Sequence, residues 1–225
     1  MSFESALHES CFSSREKLLS RIFFRLLPCD PVKYSGRPFH RVLDLVLLYS
    51  CYLCASESGM YSVPLDCRTA AAYELDEDAL YAAALGNTPR FFKPQLQPMS
   101  AVMHRLSGAD PDEPCDMQEQ VFVLTNDRQI HGAGVICYPG VLEHFYDSLA
   151  RLVPHAGGLF VLPSSIHETL LLPAEPAQLS NPTEQQRLSS MVSEINRTVV
   201  SPAERLCDHC YIYIPGEGLR LPFGI

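Results

Sequence analysis

Apolar positions along this chain fall in short runs, most of them closed by Pro or Gly, and two such runs enclose one concentrated polar string. Gly-Gly-Leu-Phe-Val (157–161) and Thr-Leu-Leu-Leu-Pro (169–173) are too short and too uniformly apolar for surface helices, so both predict buried strands. Between them stands Leu-Pro-Ser-Ser-Ile-His-Glu (162–168). Pro163 has no N–H to give a ladder and ends a strand. Ser164 or Ser165 can cap the free N–H groups of a following turn, which puts His167 and Glu168 on the rim of a sheet.

The same reading assigns the remaining elements. Ser13 with Glu16 matches a capping box, and Leu18, Leu19, Ile22, Phe23, Leu26 and Leu27 follow at helical spacing, so pattern alone predicts a helix from about Ser14. Residues 22–27 serve equally as a strand, and Pro28 ends either one. Residues 29–40 form a loop. Alternation over 42–54 predicts a long strand with Leu43, Leu45, Leu47, Tyr49, Cys51 and Leu53 on one face and Asp44 and Ser50 on the other. A turn at 57–59 returns the chain as a strand over 60–65.

Asp76, Glu77 and Asp78 sit at the positive end of a helix that passes through Leu80 and Ala84 and stops at Gly86, leaving Asn87, Thr88 and Pro89 as the connection out. Pro98 heads a short helix with Met99, Val102, Met103 and Leu106. Residues 120–125 and 133–138 predict a hairpin. Gly140 opens a helix whose buried stripe is Val141, Phe145, Leu149 and Leu152. Asn181-Pro182 with Glu184 heads another, with Leu188, Met191, Val192, Ile195 and Val199 inward. Ser201-Pro202 with Glu204 repeats that device for a short helix, and 210–215 closes as a strand.

Helices interspersed with hairpin strands, without strict β-α-β alternation, point to an α+β fold with a mainly antiparallel sheet covered by helices. The expected organisation is an N-terminal extension (1–20), an N-terminal lobe (21–106), a linker-like loop (107–118) rich in acidic residues and prolines, and a C-terminal α+β lobe (119–225). The two lobes can also form one continuous domain.

Composition narrows the function classes. A 225-residue chain that is 47% hydrophobic and 19% charged buries roughly 70% of its unfolded surface and forms a globular core. A formal net charge of -9 argues against nucleic acid and against an anionic membrane surface as partners. The N-terminal string Met-Ser-Phe-Glu-Ser-Ala-Leu-His-Glu lacks a basic region and an apolar region, so no signal peptide is expected. The longest apolar run, 42–55, contains Asp44 and is short for a bilayer. Cytoplasmic location follows as the expectation, with nine scattered cysteines reduced rather than paired.

Several strings are jointly familiar. Val-Leu-Thr-Asn (123–126), Gly132-Ala133, Leu-Pro-Ser-Ser-Ile-His-Glu (162–168), and Met191 with Glu194 and Asn196 resemble the bacterial family catalogued as domain of unknown function 5688. Pro38-Phe-His-Arg-Val-Leu-Asp-Leu, and Leu80-Tyr81 followed by Asn87-Thr88, look similar too. The resemblance runs from about Arg21 to Tyr213, with Ser-Ser-Ile-His-Glu its most specific part. It implies a strand over 22–27, which overrules the helix there, and a longer N-terminal section in other members. It also implies a soluble bacterial cytosolic protein, no particular activity, and no paired-cysteine site at 207–210.

The polar groups then allow two functional classes. Ser164 and His167 share a face if their turn is helical, Glu168 is adjacent, and Ser164 or Ser165 with His167 would make a nucleophile and base, aided by Glu168 or Asn126. No Gly-x-Ser-x-Gly elbow accompanies them. The zinc-protease pattern fails because Leu171 stands four residues after His167. Cys51 and Cys54 fall on opposite faces of a strand, and Cys207 with Cys210 is the more plausible thiolate pair, but buried reduced thiols are the default. Gly132 and Gly134 lie in a strand pattern with no Walker lysine, so close packing explains them better than a nucleotide. No metal and no cofactor are expected.

The expectation is a non-catalytic binding or adaptor module for an unknown protein or small-molecule partner. The alternative is a small hydrolase built on Ser164 or Ser165 with His167. The candidate rim is Ser164, Ser165, His167, Glu168, Asn126, Asn87 and Thr88, because polar clusters at the ends of elements are where sites are built.

Overall fold

The computed structural model describes residues 11–56, 59–108 and 120–225. They form two compact units, one ending at Phe92 and the other beginning at Lys93. The linker-like stretch expected at 107–118 lies mostly outside the described residues. Both units are α+β, with antiparallel strands and helices laid against them, as the pattern predicts.

Among the described residues the first unit begins with α1 (Arg15–Leu19), whose N-cap is Ser14 rather than Ser13, its hydroxyl accepting the Lys17 N–H. Next comes β1 (Ile22–Pro28), so residues 22–27 are a strand, as the family resemblance implies. β2 (Phe39–Val42), β3 (Leu45–Ser56) and β4 (Gly59–Pro64) complete a sheet in which β3 pairs with β1 on one edge and with β2 and then β4 on the other.

The long strand expected over 42–54 is therefore broken. Val42 pairs with Leu45 across a two-residue turn in which Leu43 adopts φ 57. Asp44 is a turn former, but a leucine at the left-handed position gives no hairpin signal. The left-handed backbone of Leu43 costs about 1–2 kcal/mol, offset by the ladder that β2 makes with β3. Nor does β3 have a polar face, since Leu45 through Cys51 are buried without a gap, Ser50 among them. A central strand covered on both sides reads as continuous rather than alternating.

Two helices follow, α2 (Cys67–Ala72), capped by Asp66, and α3 (Glu77–Phe91), capped by Asp76. α3 does not stop at Gly86. It runs through Pro89, so Asn87 and Thr88 lie inside the helix, not in a connection. The reason is tertiary. Asn87 Nδ2 donates to the carbonyls of Leu19 and Ile22 at 2.8 and 3.0 Å. Thr88 Oγ1 accepts the Phe24 N–H and donates to the Ala84 carbonyl. These contacts to β1 and to the end of α1 outweigh the local stop signals.

Among the described residues the second unit holds a six-stranded antiparallel sheet in the order β10-β9-β7-β8-β6-β5. Its elements in chain order are β5 (Pro94–Pro98), α4 (Met99–Ser107), β6 (Phe122–Asn126), a 3-10 helix (Gly132–Cys137), α5 (Val141–Ala150), β7 (Gly158–Pro163), β8 (Thr169–Ala174), α6 (Pro176–Leu179), α7 (Pro182–Thr198), β9 (Tyr211–Ile214) and β10 (Gly218–Arg220). β5 pairs with β6 residue for residue from Pro94 to Pro98. One face of the sheet buries Phe160, Leu162 and Ile212 against Leu179, Leu188 and Val192 of α6 and α7. On the other face Tyr213 meets Tyr146 of α5.

The hairpin expected from 120–125 and 133–138 is not formed, because Gly132–Cys137 is a 3-10 helix buried from Gly132 to Ile136. The backbone at Gly132 is pressed so closely that a Cβ there would lie 2.2 Å from Thr125 Oγ1 and 2.4 Å from the His167 carbonyl oxygen. Of the stripe expected for α5, Leu149 is buried and Val141 and Phe145 are half-buried, while Leu152 is exposed and Leu142 is buried in addition. In α7 only Leu188 and Val192 of the expected stripe are buried, while Met191, Ile195 and Val199 face out. The helix is turned because its polar residues answer the backbone beside them. Gln185 holds the Leu179 carbonyl and the Phe223 N–H, and Asn196 donates to the Cys207 carbonyl and to Asp208. Finally, the helix expected after Ser201-Pro202 is a single turn, closed by Glu204 N–H to the Ser201 carbonyl.

Candidate functional site

The polar string does turn the chain between two neighbouring strands. β7 and β8 are antiparallel with Pro163 opposite Thr169, which leaves 164–168 as the loop of a hairpin. The loop closes on itself. The N–H groups of Ser164 and Ser165 both point at the Glu168 carbonyl, at 3.3 and 3.4 Å. Ser164 Oγ donates to Glu168 Oε1 at 3.0 Å, and Ser165 Oγ accepts the His167 N–H at 3.0 Å. That last contact is the serine-turn arrangement by which a hydroxyl fixes the backbone two residues on.

Three neighbouring segments then hold the loop from outside. From the end of β6, Thr125 Oγ1 donates to the His167 carbonyl at 2.8 Å. From the start of the 3-10 helix, Ala133 N–H donates to the Ile166 carbonyl, and from the turn at 202–204 the Glu204 carbonyl accepts the Ile166 N–H at 2.8 Å. The imidazole is engaged as well. His167 Nδ1 accepts the backbone N–H of His131 at 3.1 Å, and its Nε2 lies 3.8 Å from Glu204 Oε1. The two imidazole rings sit 5.5 Å apart.

Asn126 belongs to this assembly at one remove. It is 1% exposed and accepts the Arg128 N–H while donating to the Ile130 carbonyl, so it shapes the loop that delivers His131. The structure thus brings Ser164, Ser165, His167, Glu168 and Asn126 into one network. Asn87 and Thr88 belong to the first unit and act there as the lock between α3 and β1.

Chemically, the network is a set of occupied groups. Among the described residues neither serine hydroxyl meets the imidazole, and the Nδ1 lone pair is taken by a backbone amide. A nucleophile needs its base within about 2.6–3.2 Å. Sequence reasoning missed three members, Thr125, His131 and Glu204. Glu204 was legible only as a cap, and no local signal ties His131 to a ring thirty-six residues away.

A second feature of the same unit lies on α7. A cleft of about 580 Å³ is lined by Ser190, Ser193, Glu194, Arg197, Asp208 and His209 among others. His209 Nδ1 pairs with the Cys210 carbonyl at 2.9 Å. Cys210 is buried beside Ser189, its thiol pushed up by burial. Among the described residues no three His, Cys, Asp or Glu side chains converge as a metal set, and no helix is long and apolar enough to cross a membrane.

No match is found among curated proteins or among solved structures. A model of the family of unknown function DUF5688 matches residues 4–214, a span that begins well before the Arg21 expected from the motifs. Because the match covers nearly the whole chain, this protein belongs to the family of unknown function DUF5688.

Proposed function

We propose that the chain is a binding module without a catalytic centre, and that its ligand meets the polar cleft along α7 while the 164–168 loop serves as a structural clasp. The observation that carries this reading is the commitment of Ser164, Ser165 and His167 to backbone and carboxylate partners that define the loop. Hydroxyls spent on closing a turn are not free to attack a substrate. The cleft supports the other half. It is open and offers a cation, Arg197, two carboxylates, Glu194 and Asp208, and serine hydroxyls, the mixture that orients a polar ligand or a polar segment of a partner. A bacterial cytosolic setting goes with this reading, since buried Cys11, Cys51 and Cys210 are free thiols.

The test has two arms. Amide chemical shifts are followed while a panel of amino acids, dipeptides, nucleosides and sugars is added, and a fluorophosphonate reports on any activated serine. The proposal expects shifts confined to Ser190, Ser193, Arg197 and His209 and no adduct on Ser164 or Ser165. An adduct on either serine that disappears in His167→Ala establishes the hydrolase instead.

A further inference from the structure

The hydrogen bond from His131 N–H to His167 Nδ1 fixes the state of the ring, because a nitrogen that accepts cannot carry a proton. A neutral His167 then bears its proton on Nε2, the nitrogen that faces Glu204 Oε1 at 3.8 Å. Protonation of the ring turns Nδ1 into a donor. Two donors then face each other across 3.1 Å, and the contact to His131 is lost. What it restrains is a loop under tension, since Gln129 and His131 both hold positive φ, at 54 and 52 degrees. Non-glycine residues stay there only while neighbours hold them.

The groups around the ring set the direction of the response. The turn at 202–204 presents the Glu204 carboxylate, which draws an imidazolium toward itself and away from the 127–131 loop. That loop presents the His131 ring at 5.5 Å and carries Asp127 and Arg128. The loop 164–168 has Glu168, whose carboxylate accepts Ser164, and β6 contributes only the neutral Thr125. We propose that His167 is an acid-released latch: neutral, it pins the 127–131 loop through His131, and protonated, it turns to Glu204 and lets that loop go. Asn126 keeps its own grip on Arg128 and Ile130, so the release is local to the His131 end.

The experiment uses the whole chain, isotopically labelled. Ring nitrogen shifts at pH 8 are expected to show His167 protonated on Nε2, and the hydrogen-exchange protection factor of the His131 amide is expected to fall more than about tenfold between pH 8 and pH 5. His167→Asn places a non-titrating oxygen close to where Nδ1 stands and is expected to hold that protection within about twofold over the same range. A neutral ring protonated on Nδ1, protection unchanged at pH 5, or an equal loss in His167→Asn each overturns the latch. If His167→Asn does not fold, the two wild-type measurements decide.

Discussion

The hydroxyl of Thr125 donates to the backbone carbonyl of His167 at 2.8 Å, tying the end of β6 to a loop forty-two residues further along the chain. The contact explains why Gly132 must be glycine. Its Cα passes between these same two residues, and any Cβ there would meet Thr125 Oγ1, the His167 carbonyl and the Asn126 N–H nitrogen at 2.2, 2.4 and 2.9 Å. Two of those atoms are backbone and cannot swing aside.

Gly132→Ala is accordingly expected to cost about 2–3 kcal/mol or more, the upper range for overpacking a close-fitted interior. Thr125→Ala made in the same chain removes one of the three clashes and leaves the backbone ones, so it is expected to rescue little. Urea unfolding of the two variants beside wild type measures both.

Within the loop the two serines have different weight. Ser165 Oγ fixes the His167 N–H, so Ser165→Ala resembles loss of a cap and is expected to cost about 0.5–2 kcal/mol. Ser164 donates to the half-exposed Glu168 carboxylate, and Ser164→Ala is expected to cost less than about 0.5 kcal/mol. An equal and large effect of both would show that the loop is held differently.

In the first unit Asn87 satisfies two carbonyls at once, those of Leu19 and Ile22. Asn87→Ala leaves both unanswered beneath α3 and is expected to destabilise by about 2–3 kcal/mol. Thermal unfolding followed by circular dichroism reads this directly.

Cys51 gives the chain an alkaline limit. It is fully buried, and burial pushes its thiol up to about 12. The unfolded thiol ionises near its ordinary value of roughly 8.5, so the stabilising difference is complete below that pH and is lost as pH rises toward the folded value. Between pH 8 and pH 10 wild type is expected to lose about 1–2 kcal/mol more than Cys51→Ala, as measured by urea midpoints.

How much of this was legible in the sequence depends on how local each cause is. β7, β8 and the loop between them were readable because Pro163, the apolar runs and the serines all act within a few residues. The stop at Gly86 was misread because what carries α3 onward, the grip of Asn87 and Thr88 on β1, spans more than sixty residues. The turn at Leu43-Asp44 puts a leucine, not a glycine or asparagine, at the left-handed position, and its backbone is set by the pairing of β2 with β3. The hairpin expected at 133–138 failed because an all-buried apolar stretch does not reveal its period. Ser164, Ser165, His167, Glu168 and Asn126 lie together in one hydrogen-bonded network of the second unit, while its other members, Thr125, His131 and Glu204, were not legible, since side chains that answer a distant backbone group leave no spacing to read.

The most direct measurement is the equilibrium unfolding of His167→Ala beside its activity toward ester and amide substrates. A clasp predicts a folded protein weakened by about 1–3 kcal/mol, because the His131 N–H loses its acceptor, with no turnover to lose in either form. Unchanged stability together with a wild-type turnover that vanishes in the variant would contradict it.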